Sequence, residues 1–186
     1  MTKISSGMMV IGAVALAVLV GGNAMSAQDK YTVRVPNGLA FSEFKGYETW
    51  QTISVSHNGG KLAVILGNPA MIAAYEAGIP GNGKPFPDGA RMAKIHWNPK
   101  TAVTEPGPPL VPDTLHDIDF MVKDSKRFAD SGGWGFGAFE YDSSSHTFRP
   151  ATQADKPPQA NDAKCGFACH TIVKQNDYVF TAYGPR

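Results

Sequence analysis

Lys164-Cys165-Gly166-Phe167-Ala168-Cys169-His170 holds both cysteines of the chain, with a histidine directly behind the second. Two such thiols can add to the two vinyl groups of a haem, and the adjoining histidine can then bind the iron from one side. The usual attachment motif separates its cysteines by two residues. Here Gly166, Phe167 and Ala168 make three, while Cys169 and His170 keep the adjacency that fixes the ligand against its thioether. Gly166 gives the loop the backbone freedom to carry Cys165 to its vinyl partner. Two other chemistries suit the same residues. A Cys165–Cys169 disulfide fits an oxidising compartment, although closing so short a loop gains little chain entropy. A zinc site needs a fourth ligand, and the remaining histidines (His57, His96, His116 and His146) lie far away in sequence. With a haem bound, those histidines and the methionines are the available sixth ligands, and no local pattern marks one of them as axial. An open sixth position means small-ligand chemistry, a filled one electron transfer.

The elements that must position these groups read as short strands with turn-rich connections. Trp50 to Ser56 alternates apolar and polar residues, Asn58-Gly59-Gly60 is turn chemistry, and Leu62 to Leu66 returns as the second strand of a hairpin. Asn68 caps a helix over 69–77, with Pro69 at its first position and Gly78 past its end. Arg91 to Trp97 predicts a strand with Ala93, Ile95 and Trp97 on one face and Met92, Lys94 and His96 on the other. The stretch from Asn98 to Asp113 holds five prolines and reads as a long connection outside any sheet. Leu115 to Lys123 predicts a strand that sets Ile118, Phe120 and Val122 against Asp119 and Met121. A helical turn at Ser125 to Ala129 leads into an aromatic strand, Trp134 to Tyr141. After a loop over Arg149 to Ala163, Tyr178 to Thr181 predicts a last strand. The sum is an α+β domain made mainly of antiparallel strands with a few short helices. Trp50, Trp97, Trp134, Phe136, Phe139 and Tyr141 are the expected aromatic core, some of them walling any cofactor.

Lys3, an apolar run from Met8 to Val20 and the small residues Ala24-Met25-Ser26-Ala27 describe a secretory signal peptide over residues 1–27. The run is too short for the roughly 20 residues that cross a bilayer. Residues 28–186 then form one exported domain, expected in a bacterial periplasm and without a membrane span. With 42% apolar and 18% charged residues the chain is not disordered. A formal charge of +1 gives no electrostatic reason to bind nucleic acid.

Several segments together resemble the cytochrome P460 family. They are Phe44-Lys45-Gly46-Tyr47-Glu48-Thr49-Trp50, Pro87-Asp88-Gly89-Ala90-Arg91-Met92-Ala93-Lys94, Val122-Lys123-Asp124-Ser125-Lys126-Arg127-Phe128, the cysteine–histidine segment, and Asp177-Tyr178-Val179-Phe180-Thr181. The resemblance implies a homodimeric, β-rich periplasmic cytochrome with a five-coordinate haem c. It implies Cys165 and Cys169 as thioether anchors and His170 as proximal iron ligand. Lys94 matches the lysine that the family joins covalently to the macrocycle. Asp119, three positions before Val122, stands where the family has a second-sphere carboxylate, better known as glutamate. The implied activity is oxidation of hydroxylamine, with reactivity toward nitric oxide, passing electrons to another cytochrome. A related branch, the β-sheet cytochromes c′, shares the fold but lacks the cross-link and binds nitric oxide or carbon monoxide without comparable oxidase activity. A haem-free periplasmic domain with the Cys165–Cys169 disulfide is the third possibility. Pattern alone allows Lys94 and Asp119 to be solvated groups on half-exposed strands. Lining a pocket, Asp119 would serve as a general base.

Overall fold

The structure is a computed structural model that describes residues 28–36, 38–104, 106–151 and 166–185. The expected signal peptide, most of the loop before the cysteines, and Cys165 itself lie outside the described residues.

Six strands form one antiparallel meander: β1 (Gln51–Asn58), β2 (Lys61–Gly67), β3 (Arg91–Thr101), β4 (Leu110–Lys123), β5 (Trp134–Asp142) and β6 (Thr147–Pro150), each paired with its chain neighbours. The first hairpin closes as its sequence demands. Gly59 and Gly60 both take positive φ, +56° and +72°, between the paired Asn58 and Lys61. Helix α1 (Pro69–Glu76) starts where Asn68 accepts a hydrogen bond from the Met71 N–H at 3.0 Å. The same Asn68 oxygen accepts from the Arg91 N–H, so the cap also fixes where β3 begins.

Three expectations need correction. The proline-rich stretch does not leave the sheet: β3 runs on to Thr101 and β4 starts at Leu110, with Pro99 opposite Pro112. The ladder shifts register between Asn98 and Pro99, and such an irregularity tolerates residues that cannot donate a hydrogen bond. Strand β6, including Arg149 and Pro150, falls where a loop was expected. Its edge is covered by the Gln28 side chain, which donates to the Phe148 carbonyl and accepts from the Phe148 N–H. Tyr178 to Thr181 joins no ladder: Asp177 and Tyr178 both take positive φ and form a turn, which takes the chain away from strand geometry.

Each face of the sheet has its own core. On one, the N-terminal segment packs Leu39, Phe41 and Phe44 against Ala93, Ile118, Phe120 and Phe139. Phe44 stacks on Phe120 with centroids 4.1 Å apart. On the other, α1, the loop after it and the C-terminal segment pack Met71, Ile72, Phe86, Tyr178 and Val179 against Ile65, Met92, Met121, Trp134 and Phe136. The cover on this second face is incomplete. Where it stops, the sheet bears polar side chains.

Candidate haem site

The residues of interest come from cross-strand rows on the second face. Ile65 of β2, Lys94 of β3, Asp119 of β4 and Ala138 of β5 stand opposite one another in one row. Met92, Met121 and Phe136 form the neighbouring row. Strand β1 adds Ser54 and Ser56 through a bulge. Its register skips Ile53, which lets Ile53 and Ser54 face the same side. From there the phase is reversed: Ser54 and Ser56 look inward, and Val55 is 73% exposed. Simple alternation reads those serines as solvent-facing, so the sequence contained no signal for them.

Facing these rows is a helical segment over 166–170, continued by a 3₁₀ stretch, Thr171–Asn176. Gly166 earns its place by contact rather than by flexibility. A Cβ there would meet three Phe136 atoms at 2.9 Å, so only glycine lets the segment lie this close to β5. Between sheet and segment is a cavity of about 740 Å³, whose lining includes Lys94, Asp119, Met92, Met121, Cys169 and His170. The structure therefore brings four of the five sequence-predicted site residues to one cavity. The fifth, Cys165, lies outside the described residues.

His170 is held as a ligand needs to be. Its ring sits between Phe136 and Phe180, with centroids 5.0 and 4.9 Å away. Its Nδ1–H donates to the Tyr178 carbonyl at 2.5 Å, because a carbonyl can only accept. That bond fixes the tautomer and leaves Nε2 as the free lone pair, the second-shell arrangement of metal-binding histidines. Burial lowers the His170 pKa and the positive charge of Lys94 lowers it further, against the opposing pull of the Tyr178 bond. The neutral, ligating form is favoured.

The carbonyl that holds His170 is itself anchored. Lys123, only 5% exposed, donates to Asp177 Oδ1 at 2.8 Å and to the Gly132 carbonyl at 2.9 Å. Asp177 also accepts the Phe86 N–H at 2.7 Å. This explains a run of residues that no general pattern explained in the sequence. Within Val122 to Phe128, Val122 and Phe128 are core, Lys123 anchors Asp177, Asp124 accepts from the Arg127 N–H, Ser125 donates to Asp88, and Arg127 pairs with Glu43. Phe167 packs on Tyr178 with ring centroids 5.5 Å apart.

A cavity of this volume is in the range of small-molecule and cofactor sites. An apolar and aromatic wall, a free imidazole nitrogen and a cysteine beside it are the donor set that haem c requires, so the residues present fit that group. Comparison with protein families matches residues 44–181 to the family described as Cytochrome P460. The chain belongs to the cytochrome P460 family. The match covers about three-quarters of the chain and includes every strand of the meander as well as the His170 segment. Membership carries haem c as the cofactor, with its iron. Comparison with curated proteins gives no match. Among the described residues, no helix is long and apolar enough to cross a membrane.

Proposed function

We propose that the protein is a periplasmic mono-haem cytochrome that oxidises hydroxylamine and passes the electrons to a partner cytochrome. The observation that carries this reading is the convergence of His170, Lys94 and Asp119 on one cavity wall and its facing segment. Haem c, when bound, supplies the iron at which a small nitrogen compound binds and through which electrons leave. The chain's own residues do the rest. Cys165 and Cys169 hold the cofactor, and His170 offers Nε2 while Tyr178 fixes its ring. Lys94 provides the amine for a covalent link to the macrocycle. Asp119, directly opposite Lys94, accepts protons from the substrate as general base. Met92, Met121 and Ile65 keep that part of the cavity apolar and limit access of water. Homodimerisation and secretion through residues 1–27 belong to the same proposal.

The test is hydroxylamine-dependent reduction of an electron acceptor by the haem-loaded protein. Asp119→Ala should slow turnover by about 10²-fold or more while leaving hydroxylamine binding intact. Equal turnover in both proteins would discard the base. Tight nitric oxide binding without any turnover would instead put the protein with the gas-binding β-sheet cytochromes c′.

A further inference from the structure

A second cavity of about 210 Å³ opens beside the larger one and shares Ser56, Asn58 and Lys94 with it. It lies over the row next to the Lys94–Asp119 pair, where Ser56 of β1, Ala63 of β2, His96 of β3 and Asp117 of β4 stand opposite one another. Ala63 has no side chain beyond Cβ, which leaves a hollow between Ser56 and His96. Lys61, two residues before Ala63 and so on the same face, reaches in from the end of the first hairpin. The charge of this cavity is one-sided. Its carboxylate, Asp117, is already satisfied: one oxygen accepts from His96 Nδ1 and the other from His116 Nδ1 at 2.7 Å. Its lysines are not. Among the described residues Lys30, Lys100 and Lys123 have carboxylate partners, while Lys61 and Lys94 have none. The Ser56 hydroxyl and the Asn58 amide complete the lining, so an anion entering here meets a free cation and neutral donors. At about 30 Å³ per water molecule there is room for a carboxylate and several waters.

We propose that this second cavity binds a propionate of haem c, with Lys61 as its ion-pair partner and Ser56 and Asn58 as hydrogen-bond donors. A haem carries its two vinyl groups on one edge and its two propionates on the opposite edge, so thioether attachment also decides where the charged edge falls. Cys169 belongs to the segment that Gly166 seats against Phe136 of β5. Lys61 belongs to β2, and Ser56 and Asn58 to β1, three and four strands further across the sheet. At roughly 4.8 Å between neighbouring strands that is about 14 to 19 Å, comparable to the span of a macrocycle with its substituents. Elsewhere in the larger cavity Met92, Met121 and Phe136 offer a carboxylate no partner, and Asp119 repels it. The two cavities join at Lys94, which the proposed function commits to the macrocycle. Lys61 is then the cation left to pair. The inference rests on haem c as the cofactor and not on the oxidation of hydroxylamine.

The experiment treats the haem-loaded protein with a water-soluble carbodiimide, which turns a contacting ammonium–carboxylate pair into an amide with net loss of one water. Proteolysis and mass spectrometry should then find the haem-bearing Cys169 peptide joined to the Lys61 peptide. Lys61→Arg keeps the positive charge but cannot form that amide, so the link should be lost while the absorption spectrum stays unchanged. In Lys61→Gln the propionate bending band of the resonance Raman spectrum, which follows hydrogen bonding at the carboxylate, should move. A haem-loaded wild type in which carbodiimide couples added glycinamide to both propionates, and joins neither to Lys61, overturns the proposal. So does saturable, Lys61-dependent binding of acetate to the haem-loaded protein, which would assign the cavity to a free carboxylate. A chain that takes up no haem, in cells that mature a control cytochrome, removes the haem site itself and this inference with it.

Discussion

Lys94 and Asp119 are cross-strand partners, so a group bonded to one lies within reach of the other. That pairing gives Lys94 a sharper test than its sequence position could. Lys94→Arg keeps the positive charge but removes the nucleophilic amine. It should leave haem bound through Cys169 and His170 while converting an abnormal, cross-linked spectrum into an ordinary c-type one. An unchanged spectrum would take Lys94 out of the chemistry. Asp117 makes a prediction of a different kind. Burial works against its charge, but the hydrogen bonds and charges of His96 and His116 hold its carboxyl below the usual value. A carboxyl lowered on folding stabilises the fold at pH above its unfolded value of about 4, and that contribution disappears as pH falls through its lower folded value. The acid limb of the stability curve should therefore be shallower in Asp117→Asn. An identical limb in a denaturant series at stepped pH would contradict it.

At the scale of elements, the strap of chain after His170, which carries Asp177 and Tyr178, is what fixes the histidine ring. Lys123 and Asp177 are 6% and 12% exposed at the side chain, so removing one charge strands the other. Asp177→Asn still suits the positive φ of 49° at that position, which isolates the loss of charge. It should cost about 3–5 kcal/mol in chemical unfolding and loosen the Tyr178 carbonyl that orients His170. A loss within experimental error would show the pair to be dispensable. Gly132 guards the same strap: it has φ +67°, and an added Cβ would lie 2.2 Å from the Tyr178 ring. Gly132→Ala should destabilise by about 1–3 kcal/mol from overpacking and backbone strain together. The elements themselves were largely legible. Periodicity placed β1, β2, β5 and α1 to within a residue or two, because hairpin glycines and a capping asparagine act locally. It failed at Pro99 and Pro112, where a register shift lets prolines stay in the ladder, and at Tyr178, where the ion pair of Asp177 overrides strand propensity. Bulges at Ile53 and His116 hid Ser54, Ser56 and the contact of His116 with Asp117, whose other oxygen bonds His96. A one-residue insertion reverses which face a side chain takes, and nothing in a single sequence marks where it falls.

Across the whole molecule, one sheet serves two purposes. Its first face is sealed by the N-terminal segment and supplies the larger aromatic core, while its second is closed only in part and keeps a cavity open. The motif at Cys169 and His170 was visible in the sequence, and so was the family. The geometry adds that Lys94, Asp119, Cys169 and His170 share a cavity. The central claim is that this cavity holds a haem c altered by Lys94. The most direct test is the absorption spectrum of the dithionite-reduced protein, produced in a periplasm with competent cytochrome c maturation. The account predicts a strongly red-shifted Soret band that Lys94→Arg returns to the ordinary c-type position. An ordinary ferrous c-type spectrum in the unaltered protein would contradict the link to Lys94. The absence of any haem band, with a control cytochrome matured in the same cells, would contradict the site itself.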